Sequence, residues 1–138
     1  MHVSKQHYLF SYGTLRDPAL QKILFGNVIE MQSSRLDGWS LYRATDGYLF
    51  IKPSNNASVE GMLLSLTGEQ LRRADQWEEV PLYIRELVDV STATNQKMQA
   101  WVYTRRNYDG IVVTKESVSM LTQSDIKKAA ISFVNQLQ

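Results

Sequence analysis

Hydrophobic and polar positions alternate in short runs over most of the chain, with helical spacing confined to three segments. Tyr8 to Tyr12 is an aromatic and apolar run closed by Gly13, the pattern of a strand that ends in a turn. Asp17-Pro18 follows as a capping acid with proline at the first helical position. Leu20, Ile23 and Leu24 then share one face of the predicted helix, and Gly26 stops it. Further strands are predicted at Arg35 to Arg43, Tyr48 to Lys52, Val59 to Leu66, Leu82 to Val90 and Met98 to Thr104. The polar stretches Pro53 to Ser58 and Ser91 to Gln96 read as turns between them. Thr67-Gly68-Glu69-Gln70 fits a capping box opening a helix that runs to around Trp77, with Leu71 and Ala74 facing inward. After Thr122 and Asp125, the residues Ile126, Ala129, Ala130, Phe133, Val134 and Leu137 fall at helical spacing and predict a third helix. Many strands with three short helices indicate an α+β domain whose sheet is strongly curved, with closure into a small barrel as one form of it.

Composition narrows the chemistry. The 138 residues fit a single domain spanning 1–138, and 43% hydrophobic against 21% charged residues is enough for one modest core. Fifteen Lys and Arg against fourteen Asp and Glu leave a formal charge of +1, which gives no general attraction to nucleic acid or to an anionic membrane. The dibasic pairs Arg72-Arg73 and Arg105-Arg106 accordingly read as solvated surface. The polar start of the chain lacks the apolar run of a secretory signal, and no stretch approaches the roughly 18 apolar residues of a membrane span, so a cytoplasmic protein is expected. Asn56-Ala57-Ser58 is then a polar loop rather than a glycosylation site. The chain has no Cys and two His, His2 and His7, so zinc, iron–sulfur, thiol and Ser/His/Asp chemistries lack their parts. No metal and no cofactor are expected, the partner is a small molecule, and any catalysis falls to carboxylates, hydroxyls, Lys or backbone amides.

Two segments could carry such chemistry. Tyr12-Gly13-Thr14-Leu15 lies at the end of a predicted strand, where consecutive amides could converge on a carboxylate or a developing oxyanion. The same spacing, taken alone, also describes an ordinary turn. In Asp75 to Arg85, Glu78 falls near the negative end of a helix, beside Trp77 and the apolar Val80-Pro81, and next to Glu79. All these influences oppose ionisation and suit a group that moves protons, although a solvated Glu pair at a helix end has the same sequence. Tyr83 and Arg85 alternate onto one strand face, where Arg85 can pair with a carboxylate in the site or in a purely structural ion pair.

Together these residues resemble the gamma-glutamylcyclotransferase-like family, in particular its gamma-glutamylamine cyclotransferase branch. The resemblance rests on Tyr12-Gly13-Thr14-Leu15 after an aromatic strand, Gly38 with Leu41-Tyr42, and Val59-Glu60-Gly61 before a strand. Asp75 to Glu78 followed by Tyr83 and Arg85, and Ala100-Trp101-Val102-Tyr103, complete it across about residues 8 to 104. Ala74 stands where the family usually has Leu, and Glu79 where Gly commonly follows the acid. The resemblance implies an α+β fold built as a small mixed β-barrel with flanking short helices, and a cavity lined by Tyr12, Gly13, Thr14 and Leu15. It maps the catalytic acid/base onto Glu78, with Tyr83 and Tyr103 as further candidates for the substrate pocket. The implied reaction closes a γ-glutamyl compound into 5-oxoproline and expels an amine without metal or cofactor, and the Tyr-Gly-Thr-Leu form of the loop points to γ-glutamylamines, including γ-glutamyl-ε-lysine. A noncatalytic module that holds an amino-acid-like carboxylate on the same fold is the competing expectation.

Overall fold

A computed structural model describes residues 6–44, 49–78, 83–105 and 110–112. Its strands are β1 (His7–Ser11), β2 (Met31–Ala44), β3 (Leu49–Leu66), β4 (Ile84–Thr92), β5 (Lys97–Thr104) and β6 (Gly110–Val112). Its helices are α1 (Pro18–Phe25) and α2 (Gly68–Trp77), with a 3-10 turn at Thr14–Arg16. The ladder runs β3-β1-β5-β4-β2, and β2 pairs again with β3, so five strands close on themselves. Leu9 meets Trp101 in a parallel pair between β1 and β5, and the other pairings of the ring are antiparallel. This is the small mixed barrel with flanking helices expected from the sequence. β6 joins the far end of β2 outside the ring.

The period of two along each strand divides the core in two. Phe10, Leu36, Val59, Leu63, Val90 and Val102 belong to a cluster drawn from all five strands of the ring and fill its lumen. Leu9, Leu64 and Leu66 alternate with them and pack outward against Leu20 and Leu24 of α1 and Leu71 and Ala74 of α2. Ala74 is fully buried there, within the packing between helix and barrel.

The two predicted helix starts that fall among the described residues hold. The Asp17 side chain accepts the Ala19 N–H at 2.9 Å, Pro18 opens α1, and Gly26 ends it with φ of +88°, a conformation costly for a residue with a Cβ. Thr67 Oγ1 accepts from the Gln70 amide at 3.1 Å while Gln70 Oε1 accepts from the Thr67 amide at 2.9 Å, the reciprocal box that fixes the start of α2. The Ser91 to Gln96 turn is also present, closed by the Thr92 N–H on the Gln96 carbonyl at 2.8 Å.

The sequence reading fails between Lys52 and Val59. Pro53 to Ser58, expected as a turn between two strands, stays inside the single strand β3. The polar composition there marks a bulge: Asp37 pairs with Ser58 and Trp39 with Pro53, so residues 54–57 pass opposite Gly38 alone. Gly38 at φ +85° and Asn56 at φ +62° take up the mismatch in left-handed backbone. The predicted helix of residues 122–137 lies outside the described residues. Among the described residues, no helix is long and apolar enough to cross a membrane.

Candidate active site

The chain enters the site where β1 ends. A Cβ on Gly61 would lie 2.4 Å from the Ser11 carbonyl oxygen and 2.8 Å from Phe10 Cζ, so this place in β3 must be glycine for β1 to approach. Beyond Ser11, the Gly13 N–H turns back onto Ser11 Oγ at 3.4 Å. The 3-10 turn follows, its first bond running from the Arg16 N–H to the Gly13 carbonyl at 3.3 Å. Bonding of this kind leaves the Thr14 and Leu15 amides outside the turn's own hydrogen bonds. A Cβ on Gly13 would meet nothing within 4 Å, so the backbone here borders open space. The Leu15 side chain is buried in the outer core, which leaves its backbone as the part that can face a ligand.

The other wall is the end of α2. Glu78 is its C-cap residue, half-buried, with its amide on the Ala74 carbonyl at 2.9 Å. One residue earlier, the Trp77 indole Nε1–H donates to Thr14 Oγ1 at 3.2 Å, tying the end of α2 to the predicted loop. The Tyr12 hydroxyl donates to the Tyr103 carbonyl at 2.6 Å, and the Tyr103 hydroxyl donates to Asp75 Oδ1 at 2.7 Å. Arg85 Nε reaches the same carboxylate oxygen at 3.1 Å, and its guanidinium lies 4.4 Å from the centroid of the Trp101 ring. The ion pair foreseen for Arg85 therefore forms with Asp75.

Electrostatics report how close these groups are. Burial, then the Glu78 carboxylate and Tyr83, push the Tyr12 phenol well above its ordinary value, with the Arg105 guanidinium acting the other way. Burial, the bond to Asp75 and the charges of Asp75 and Glu78 push Tyr103 up strongly, while Arg85 opposes them. Glu78 thus acts on both phenols, and both stay protonated donors at neutral pH.

Of the expected site residues, Tyr12, Gly13, Thr14, Leu15, Glu78 and Tyr103 come together around the end of β1. Tyr83 takes a supporting position: its hydroxyl donates to the Leu49 carbonyl at 2.8 Å. Glu79 and the Val80-Pro81 pair lie outside the described residues.

Arg105, read as solvated surface, is 2% exposed, with its guanidinium 5.0 Å from the centroid of the Tyr83 ring. The correction has a simple cause: β5 carries the chain into the packed end of the barrel, and net charge says nothing of one residue's place. Arg73 is also held, its Nη1 donating to the Leu24 carbonyl at 3.2 Å, whereas Arg72 is exposed and Arg106 lies outside the described residues.

Gln21 was missed altogether. It is fully buried, its Nε2 donates to the Leu15 carbonyl at 2.8 Å, and its Oε1 accepts the Ile29 amide at 2.9 Å. The signal available was a polar residue on the apolar stripe of α1, at the spacing of Asp17, Gln21 and Leu24.

With this geometry in view, a comparison with family models matches residues 9–122 to the family described as gamma-glutamyl cyclotransferase, AIG2-like. The chain belongs to this family. AIG2-like protein C of Arabidopsis thaliana is 33% identical over 104 residues, covering 73% of this chain but 60% of the relative, so the match spans under two thirds of that protein's length. A solution structure from Arabidopsis thaliana covers 99% of this chain and 84% of its own at a TM-score of 0.69 and 20% identity. A solved gamma-glutamyl cyclotransferase matches at a TM-score of 0.71 and 14% identity, over 93% of this chain and 99% of its own. Both likenesses concern the fold, and they agree with the AIG2-like barrel and its two flanking helices.

Proposed function

We propose that this AIG2-like chain is a cyclotransferase for γ-glutamylamines, converting them to 5-oxoproline and a free amine with Glu78 as general acid/base. The α-amino nitrogen of the substrate attacks its own γ-carbonyl carbon, a new C–N bond closes the lactam, and the original γ C–N bond breaks. Glu78 takes a proton from the attacking amine and returns one to the departing amine, a task that suits a single carboxylate at the reacting centre. Thr14 and Leu15 supply amides toward the oxyanion or the α-carboxylate, where fixed donors act without reorganisation. Folding the γ-glutamyl group against Gly13 supplies the orientation term, which in ring closures reaches several orders of magnitude.

The observation that carries this reading is the Trp77–Thr14 bond of 3.2 Å, which joins the residue before Glu78 to the loop that bears the amides. The division of labour around it agrees. Asp75 is taken by Tyr103 and Arg85, and the phenols of Tyr12 and Tyr103 are donors held within the protein, so none of these three is suited to carry a proton to substrate. Family membership supports the reaction class.

The test is a panel of γ-glutamylamines, γ-glutamyl-α-amino acids and glutathione, with 5-oxoproline followed by mass spectrometry. Product and free amine in equal amounts, highest with the γ-glutamylamines and none from an Nα-acetylated substrate, is the expected result. Product from the acetylated compound would refute the cyclisation, since its nucleophile has been removed.

A further inference from the structure

Asp75 stands in the last turn of α2, and no basic residue accompanies it there. A carboxylate in that place opposes the negative end of the helix dipole, where a cation is the favourable charge. It also follows the buried Leu71 and Ala74 on the packed side of the helix, with 24% of its side chain exposed. What offsets both costs comes from two strands of the barrel. The Tyr103 hydroxyl of β5 and Arg85 Nε of β4 reach the same Asp75 Oδ1, at 2.7 and 3.1 Å. Arg85 is not a loose surface cation: its guanidinium lies 4.4 Å from the Trp101 ring centroid, a contact that orients the fork meeting the carboxylate. Bonds to an ionised acceptor are the strong ones, and Arg85 also supplies the cation that the last turn of α2 lacks.

Asp75 is one anchor of that turn and Trp77 the other, through its 3.2 Å bond to Thr14. Glu78 keeps the helical register, with φ of −78° and its amide on the Ala74 carbonyl. At about 100° per residue, Glu78 projects about 60° from Asp75 and about 100° from Trp77, in the sector between them. A single anchor leaves the helix end free to roll about it, whereas two that flank Glu78 fix its direction. Tyr103 closes the circuit, since its carbonyl accepts the Tyr12 hydroxyl at the start of the loop.

We propose that Asp75 is a positioning residue of the γ-glutamyl reaction: held by Arg85 and Tyr103, it fixes the last turn of α2 and with it the aim of Glu78. This rests on the proton-transfer role given to Glu78 above and requires no contact of Asp75 with substrate. The aim matters because a reacting group displaced by about 1 Å can lose about a hundredfold in rate.

The test sets turnover of a γ-glutamylamine beside hydrogen exchange of the Trp77 indole N–H, read by NMR on the full chain. Asp75→Ala should lower kcat by about tenfold to a hundredfold with KM within about threefold. It should also speed the indole exchange about tenfold while the amides of β3 keep their rates. Asp75→Asn keeps an oxygen for both donors, so its kcat should lie within about fivefold of the native value. Arg85→Met removes one donor at a partly exposed place, and should give an intermediate fall in kcat that is readable even where Asp75→Ala does not fold. Unchanged kcat in Asp75→Ala and Arg85→Met, a loss carried by KM alone, or Asp75→Asn as slow as Asp75→Ala would each overturn the positioning role. If the native protein forms no 5-oxoproline, the reaction proposed above fails by itself and the indole exchange judges the anchor: equal rates in the native protein and the variants would overturn it.

Discussion

Gln21→Met isolates what one buried amide does for the loop. Methionine is unbranched and close to glutamine in length, so the change keeps most of the packed volume while removing the Gln21 Nε2 donor, which also reaches the Met31 sulfur at 3.2 Å. Its main effect is on hydrogen bonds. The Leu15 carbonyl loses its 2.8 Å donor and the Ile29 amide its 2.9 Å acceptor, both at residues no more than 4% exposed. An orphaned buried polar group costs about 1–3 kcal/mol, so the pair amounts to about 2–6 kcal/mol, against a total stability of about 5–15 kcal/mol for a typical domain. Urea unfolding followed by circular dichroism should show the unfolding free energy falling by that amount, with a lower midpoint at unchanged slope. Freed at Leu15, the turn should also misplace its amides and lower kcat/KM, by up to about a hundredfold for a displacement near 1 Å. A loss below about 0.5 kcal/mol in Gln21→Met, with kinetics unchanged, would refute the idea that Gln21 holds the loop.

Three further outcomes follow from the same geometry. Trp77→Phe keeps a ring but removes the donor to Thr14 Oγ1, so kcat should fall about tenfold while stability falls by no more than about 1.5 kcal/mol; unchanged kcat would mean that the loop keeps its place without this bond. Gly13→Ala adds a methyl with open space around it, so the melting temperature should hold while kcat/KM falls about tenfold, and unchanged kinetics would exclude close approach of substrate to this backbone. Tyr12 and Tyr103 keep their protons more tightly folded than unfolded, so the folded state binds more protons in alkali. Stability should be full below about pH 10 and fall as pH rises beyond it. Tyr103→Phe should flatten that fall in urea midpoints measured across the range, and a fall of undiminished slope in the variant would remove Tyr103 from the account.

How far the sequence carried depended on the range of the interactions involved. Caps are decided by residues a few positions apart, so Asp17, Thr67 and Gln70 were readable and occur as read. Period-two alternation located β1, β4 and β5 to within two or three residues, but the sequence could not tell a turn from a bulge at Pro53 to Ser58, because the choice is made by pairing with Gly38 on another strand. In the site, Tyr12 to Leu15 and Glu78 stood out through local composition and family resemblance. The Trp77–Thr14 bond, the Tyr12–Tyr103–Asp75–Arg85 chain and the two roles of Gln21 join residues far apart along the chain, and no periodicity encodes such partners. Arg105 shows the opposite error, a surface assignment drawn from charge that burial overturned.

The most direct test of the central claim compares 5-oxoproline formation by the native protein and by Glu78→Gln, at equal concentration and with folding verified by circular dichroism. The substitution removes the proton carrier and preserves its shape, so the account predicts turnover reduced to background while affinity for the γ-glutamyl compound stays within about tenfold. Substantial 5-oxoproline from the folded variant would contradict it and move the proton transfer to another group.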